Sequence, residues 1–567
     1  MVVGVSRSVR ERERKSVVAY VITQNCCKDA SCVPVCPVDC IRPSAGAGEF
    51  TGTEMLYIDP ATCIDCGACQ EECPVGAIYA DTDLPPELER FQEINAAYFE
   101  ANPLETELVP MPKNHAAVEA GSLRVAIIGA GPAACYTAEE LVKVTGVEVD
   151  LFERLPTPYG LIRAGVAPDH LHTKAITDLF AKTFTNKRMA AHFNVEVGKH
   201  VTHEELLAHH HAVVYAVGAN NSRDLGIPGE TLPGNFGASD FVGWYNGHPD
   251  RAEDDFDLTG ERVVIVGNGN VALDVARVLL MSPERLHKTD IAEHALNALG
   301  ESAVREVVIV ARRGPRDAAF SAAEFMALGH LEGIDVVIES DDLDADPADD
   351  VETAWKLEIA REYAERPQSP DNKRIVFRFM AAPVEVVGDD KVTGLRVVRN
   401  SFDANGKLVA GDPATDAEVI ETSLVLRSIG YRGREIADVP YDAAAGVVPN
   451  DGGRVLGDDG EPIPGVYVSG WIKRGPRGVI GTNRTCAEQT VARLWEDFDS
   501  GKLSRGVQDR ESLETFLHER GIDKVEWQGW KAIDAAERSR GSDTKRPRVK
   551  FVSIDEMLLT AKGTVGV

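Results

Sequence analysis

The strongest apolar signals lie in the middle of the chain. "LRVAIIGAGPAACYTAEELVKV" begins with an unbroken apolar run at 124 to 128, the pattern of a strand buried on both faces of a parallel sheet. Glycines follow, then apolar positions at helical spacing, then a second apolar strand ending at Glu153. "ERVVIVGNGNVALDVARVLL" repeats that order, with "REVVIVARRGP" as its second strand. "HAVVYAVGA" and "IPGVYVSG" read as further buried strands, and "LGIPGE" (225 to 230) with "LRSIGYRG" (426 to 433) as the outgoing and returning strands of a hinge. Near the start the runs are shorter: "AYVIT" and "MLYIDP" predict brief strands, and "PVGAIY" closes that region. "PPELERFQEINAAYF" sets Leu88, Phe91, Ile94 or Asn95, and Tyr98 at helical spacing, a packing stripe. A looser tether is expected to follow it.

At 567 residues the chain is too long for one core, so several domains are expected. A net charge of -30 argues against nucleic-acid or anionic-membrane binding, and any anionic ligand needs a local arginine cluster. No run of about 18 apolar residues suggests a membrane span. The start, "MVVGVSRSVRERERKSVVAYV", lacks a signal peptide's apolar segment, and Glu11 and Glu13 interrupt the basic run expected of a mitochondrial presequence. It reads as a disordered leader.

The glycines after each long strand carry chemistry. In Gly129-x-Gly131-x-x-Ala134, Gly129 permits a tight turn, Gly131 lets backbone approach pyrophosphate, and Glu153, 24 residues on, accepts a ribose hydroxyl. The second unit, Gly267-x-Gly269-x-x-Ala272, is followed by Arg312 and Arg313 where an acid would favour NAD. Two guanidinium groups suit the 2'-phosphate of NADP. A third motif, "IPGVYVSGWIKRGPRGVIGTN", delivers Trp471 from a strand and turns through Gly478 to Gly481 into a helix facing a flavin ring. The acidic tract near 341 to 350 reads as a solvated loop, and His209, His210 and His211 as structural.

Nine of eleven cysteines precede residue 74. Cys63-x-x-Cys66-x-x-Cys69-x-x-x-Cys73-Pro74 has the bacterial ferredoxin spacing, in which the fourth cysteine serves the other cluster. By that crossed rule Cys36, Cys63, Cys66 and Cys69 hold a 4Fe-4S cluster, and Cys26, Cys32 and Cys73 supply three ligands to its neighbour. Disulfides and zinc fit the doubled run less well. Asp29 stands where the fourth thiolate is expected. A carboxylate binds that iron less firmly, which predicts a 3Fe-4S cluster. Cys27 or Asp29 filling the corner would leave a second 4Fe-4S cluster, and Cys40 reads as a buried neighbour.

From about Tyr20 to Tyr79 the chain resembles a bacterial two-cluster ferredoxin of the seven-iron type. From Leu123 onward, "LPTPYGLIRAGVAPDH", "GNGNVALDVARVL", "ARRGP" with "AAFSAAEF", "GWIKRGPRGVIGTN" and "WQGWKAIDAAERSRG" resemble the adrenodoxin-reductase type of ferredoxin-NADP reductase. The whole is similar to the actinobacterial ferredoxin/ferredoxin-NADP reductases. The expected fold is an α+β ferredoxin domain followed by α/β, with two nested Rossmann-like dinucleotide-binding domains and a discontinuous FAD domain. Its expected boundaries are a leader at 1–18, ferredoxin at 19–82, a linker with a short helix at 83–122, FAD domain at 123–226, NADP domain at 227–432, and the rest of the FAD domain with a C-terminal extension at 433–567. The resemblance implies FAD contacts at Ala133, Glu153, Leu161, Val197, Trp471 and the turn Gly478, Val479, Ile480. It implies NADP contacts at Arg223, Asn268, Gly269, Asn270, Val271, Arg312, Arg313, Glu324 and Gly478. His170 and Glu324 are its candidate catalytic residues, near flavin and nicotinamide.

The implied activity moves electrons between NADPH and the clusters through FAD, and on to a downstream acceptor such as a ferredoxin or cytochrome P450, in the cytoplasm. Alternatives are an electron-input subunit of a larger complex and an NADPH-binding electron-storage protein.

Overall fold

A computed structural model describes residues 19–44, 55–104, 114–340 and 343–563. The expected leader, residues 105–113 of the tether and the first two residues of the acidic tract lie outside them. The chain divides into two compact units, Met1–Leu108 and Val109–Val567.

In the first unit, strand Tyr20–Ile22 pairs antiparallel with Ile78–Ala80, and Ile41–Arg42 with Tyr57–Ile58. These strands are too short to bury much surface. Helix Phe91–Ala101 supplies the missing cover with Phe91, Ile94, Tyr98 and Phe99 buried, and Tyr98 stacks on Tyr57 at 4.1 Å. Asn95, also buried, ties the two strand pairs together. Its Oδ1 accepts from the backbone of Ile22 (3.3 Å) and Ile58 (2.8 Å), while Nδ2 donates to the carbonyls of Ile22 and Phe91 (both 2.8 Å). A buried amide costs nothing extra when every polar atom is paired. The helix is thus part of the first unit's body.

The second unit contains two large sheets. The seven-stranded one runs Asn450–Asp451, Arg454–Leu456, Pro462–Val468, Ala212–Tyr215, Arg124–Ile128, Glu148–Glu153, Met189–Phe193, and its last five strands are parallel. It draws strands from both sides of a long insertion, so this domain is discontinuous. The insertion carries a parallel six-stranded sheet, Asn235–Gly237, Leu424–Arg427, Arg262–Val266, Glu306–Val310, Lys373–Arg378, Ile334–Glu339. Strands Ala381–Val387, Gly394–Phe402, Leu408–Ala410 and Ala417–Glu421 form an antiparallel sheet.

The outgoing hinge strand differs from expectation, while the returning one falls within the expected 426 to 433. They are Asn221–Ser222 and Tyr431–Arg432, paired antiparallel. Residues 225 to 230 curl instead, because the Glu230 carboxylate accepts from the backbone N–H of both Leu225 and Gly226. The tether is anchored from its far side: His115 stacks on Trp495 at 3.9 Å, and Val118 N donates to Thr145 O. Near the end of the chain, Lys550 Nζ reaches Asp290 (3.1 Å), which also pairs with Lys174 (2.7 Å), and Phe551 N donates to Glu537 (3.0 Å). Glu537, fully buried, takes the guanidinium of Arg163. The Asp290 pairs join the insertion to its host sheet's domain, and the Arg163–Glu537 pair ties the two halves of that host domain together.

Candidate functional site

The cysteines gather around two cavities. Cys36, Cys63, Cys66 and Cys69 line one with Cys40, Tyr20 and Ile64, and Cys26, Cys32 and Cys73 line the other with Cys27 and Asp29. Each Cys-Pro turn therefore contributes across to the other loop's cavity. Each also receives a backbone N–H on sulfur four residues on: Cys40 N to Cys36 Sγ (3.4 Å) and Ala77 N to Cys73 Sγ (3.3 Å). Such bonds stabilise negative charge on sulfur and tune a cluster's potential. Burial pushes the Cys26 thiol up to about 11 and the Cys69 thiol up to about 12, so iron must displace protons to bind there.

The donor sets differ. The first cavity has four spaced thiols, with Cys40 Sγ a further neighbour 3.5 Å from Cys36 Sγ. In the second, the buried Asp29 accepts at Oδ1 from the N–H and hydroxyl of Ser31. Burial holds the Cys27 thiol protonated.

In the larger unit, strand Arg124–Ile128 ends at the first glycine turn. Gly129 has φ 103, and a Cβ there would lie 2.6 Å from Ala216 O, so only glycine fits. Gly131 is the opposite case: a Cβ would meet nothing within 4 Å. The open space above it, facing the N-terminus of helix Pro132–Val142, suits a pyrophosphate. Glu153 is held at this turn, Oε2 accepting from Ala130 N (2.9 Å) and Oε1 from Leu155 N (3.0 Å), with burial pushing its carboxyl upward. Ala133 lies under Gly470, where a Cβ would come within 2.5 Å of it. That close approach sets Trp471, at the start of helix Trp471–Arg474, beside the same turn, with Tyr431 of the hinge stacked on it at 6.0 Å. Leu161 is exposed at the head of helix Leu161–Ala164, and Val197 packs at the edge of the core. Val479 N donates to Thr482 Oγ1 (3.2 Å), shaping the 478–480 turn before helix Thr482–Asp499.

The inserted domain repeats the cradle. Gly269, before helix Asn270–Leu280, also has open space at its missing Cβ. Asn268 Oδ1 accepts from Ala319 N (3.5 Å) and Asn270 Oδ1 from Ser321 N (2.8 Å), tying the turn to the loop that leads to Glu324. Val271 follows in the helix's first turn. Arg312 and Arg313 are exposed past strand Glu306–Val310, their carbonyls held by Asn400 Nδ2 and Met380 N, and Arg313 pairs with Asp317 at 3.2 Å. Arg223 is fastened to the hinge, N to Gly430 O (3.1 Å) and Nε to Tyr431 O (3.3 Å).

His170 and Glu324 meet. With Asp274 they bring ligand atoms within 4.8 Å of one another, a spacing a metal ion would accept. A guanidinium already supplies the positive charge: Arg277 Nη2 donates to His170 Nε2 (2.9 Å) and Asp274 Oδ1 (2.7 Å), and Arg277 Nε to Asp169 Oδ2 (2.7 Å). Arg277 lies close enough to hold Asp169 well below the usual carboxylate range against the opposing effect of burial. Sequence reasoning named His170 and Glu324 but not Asp169, Asp274 or Arg277. The available signal was the i, i+3 pair Asp274/Arg277 in "VALDVAR", beside a nucleotide turn.

Comparisons with known proteins agree with this layout. A family described as pyridine nucleotide-disulphide oxidoreductase matches residues 123–340, and one described as 4Fe-4S dicluster domain matches residues 8–77. A probable ferredoxin/ferredoxin-NADP reductase of Mycobacterium leprae is 46% identical, covering 96% of this chain and 98% of its own. One from Mycobacterium tuberculosis is 48% identical over 96% and 95%. The structure of Mycobacterium tuberculosis FprA in complex with NADPH is similar at TM-score 0.74 and 43% identity, covering 78% of this chain and all of that one.

Proposed function

The chain belongs to the ferredoxin/ferredoxin-NADP reductases, an oxidoreductase family, and from that premise we propose that it is a seven-iron enzyme passing electrons from NADPH to an external one-electron acceptor. The observation that carries the seven-iron reading is the second cavity's donor set: three thiols at the ferredoxin spacing, Asp29 at the fourth position, and beside them Cys27, whose thiol burial holds protonated, against four spaced thiols and the neighbouring Cys40 around the first.

When bound, FAD converts two-electron into one-electron chemistry, and clusters carry single electrons. The chain's residues bind and orient these groups. Cys36, Cys63, Cys66 and Cys69 would hold the 4Fe-4S cluster, and Cys26, Cys32 and Cys73 the 3Fe-4S cluster. The open backbone at Gly131 and the helix behind it would take the FAD pyrophosphate, with Glu153 at the turn and Trp471 beside the ring. Gly269, Asn268, Asn270 and Val271 would cradle the NADP pyrophosphate, and Arg312 and Arg313 its 2'-phosphate, supplying the local positive charge that a chain of net charge -30 otherwise lacks. His170 and Glu324 would lie where nicotinamide meets flavin. Arg223 at the hinge, Leu161, Val197 and the 478–480 turn complete the proposed cofactor contacts.

A ferredoxin or a cytochrome P450 is the class of acceptor this chemistry serves. Among the described residues no helix is long and apolar enough to cross a membrane, and eleven free thiols suit a reducing cytoplasm. Electron paramagnetic resonance tests the reading: the isolated protein shows an oxidised 3Fe-4S signal, and NADPH adds a reduced 4Fe-4S signal. In Asp29→Cys the 3Fe-4S signal disappears and iron rises by about one per chain, toward the eight-iron pattern. Two 4Fe-4S signals in the unaltered protein would overturn the seven-iron reading.

A further inference from the structure

We propose that Arg277 is a positioning residue that fixes which nitrogen of His170 carries its proton and holds that imidazole against the inserted domain. This rests on the reading that NADPH reduces a flavin at the His170–Glu324 junction.

A guanidinium has no lone pair to offer, so in the Arg277–His170 contact the arginine must donate and His170 Nε2 must accept. The neutral imidazole then carries its hydrogen on Nδ1. While that bond stands, Nε2 is closed to protons. The geometry that enforces this is built from both domains. Asp169 and His170 lie on the host-domain loop before helix Leu171–Lys174, whereas Asp274 and Arg277 belong to helix Asn270–Leu280 of the insertion. Arg277 is 5% exposed and spends three of its five N–H groups at once: Nε on Asp169, and the two Nη2 hydrogens shared among Asp169, Asp274 and His170, with Asp169 gripped at both oxygens (2.7 and 3.2 Å). Its Nη1 is buried without an acceptor. A planar fork in this setting resists rotation in a way a lysine cannot.

The charged and titratable groups around His170 are Asp169 on its own loop, Arg277 and Asp274 on helix Asn270–Leu280, Glu324 on helix Ala322–Leu328, and Tyr245 on helix Ala238–Asn246, whose phenol burial holds protonated. Removing Arg277 leaves the imidazole facing three carboxylates, with Nε2 open to a proton. The arginine therefore fixes the tautomer of a histidine set among three carboxylates, and it does so from across the boundary between the insertion and its host domain.

The test uses full-length holoenzyme with Arg277→Lys, Arg277→Met, His170→Gln and the double variant Arg277→Met/His170→Gln. Flavin content and melting temperature are recorded first, then stopped-flow flavin reduction at saturating NADPH between pH 5.5 and 9. The expected rate loss is about 100-fold for Arg277→Met and about fivefold to tenfold for Arg277→Lys, the scale of an ångström-level misplacement. The NADPH KM moves less than about threefold, because ground-state binding is retained. Both arginine variants gain a pH dependence near neutrality that His170→Gln lacks, and the double variant is no slower than Arg277→Met alone. A rate for Arg277→Lys equal to the unaltered enzyme's at every pH, a loss confined to KM, or additive losses in the double variant would each overturn the proposal. If Arg277→Met fails to fold, Arg277→Lys and its pH profile decide alone. Failure of NADPH to reduce flavin in the unaltered enzyme would instead refute the underlying reading.

Discussion

The two units build their sites by opposite means. In the first, strands of two or three residues hold loops whose chemistry resides in side-chain type, thiol after thiol at set spacing. In the second, long parallel strands deliver backbone turns, and the chemistry of the cradles lies in what is absent: a Cβ at Gly131 and at Gly269. A bond from sulfur to iron is either made or not, whereas a crowded turn loses function by degrees. Damage to the first unit should be all-or-none, and damage to the second graded.

Substitution Cys69→Ser gives the sharpest version of that contrast. Iron falls by about four per chain, and NADPH-driven cytochrome c reduction drops by more than about tenfold, while ferricyanide reduction, which flavin alone supports, persists. Iron analysis and the two assays side by side check it. In the second unit, Arg312→Ala/Arg313→Ala raises the KM for NADPH by about 10-fold to 100-fold and leaves that for NADH in place, since only the 2'-phosphate contact is lost. Added salt raises KM in the unaltered enzyme and hardly in the variant.

Two alanines separate fold from cradle. Gly129→Ala forces a residue into φ 103 against Ala216 O and costs about 1–3 kcal/mol of unfolding free energy. Gly131→Ala meets no protein atom, so its melting temperature holds while FAD is lost more readily on dilution. Equal melting temperatures for the two would blur the distinction. The smallest effect is one of pH. Burial, helped by Arg154, pulls His248 down from 6.5 to about 4, with Asp250 opposing. Between those values the unfolded chain binds a proton that the folded one does not. Its contribution is complete above pH 6.5 and declines as pH falls toward about 4. Denaturant midpoints at pH 5 and 7.5 for His248→Gln should differ less than those of the unaltered protein.

What was legible followed the same division. Cysteine spacing and glycine turns are short-range patterns, and both types of element could be read from residues within about 30 positions of one another. The nesting was also readable, because apolar strands on either side of an insertion leave a matching pattern. The outgoing hinge strand was misplaced by a few residues, while the returning one fell within 426 to 433: the outgoing strand is only two residues long, too short for periodicity to register, and Glu230 diverts the stretch that looked extended. The Arg277 array was invisible for another reason. Asp169 and Arg277 are 108 positions apart, and nothing in either local sequence announces the other. Asn95 was similar, since its position in an apolar stripe gave no hint of three bonds to two strand pairs.

The paired strands Asn221–Ser222 and Tyr431–Arg432 have a consequence for how the host domain assembles. Strand Pro462–Val468 must find Ala212–Tyr215 about 250 residues upstream. Once the insertion has folded and its two ends are paired, the effective loop shrinks to roughly 40 residues, which lowers the closure entropy by roughly 1.5 kcal/mol. The guest thereby chaperones its host: the outer sheet closes most readily after the inner one, and lesions that slow the insertion's folding delay the flavin site before they touch the nucleotide they were meant to affect.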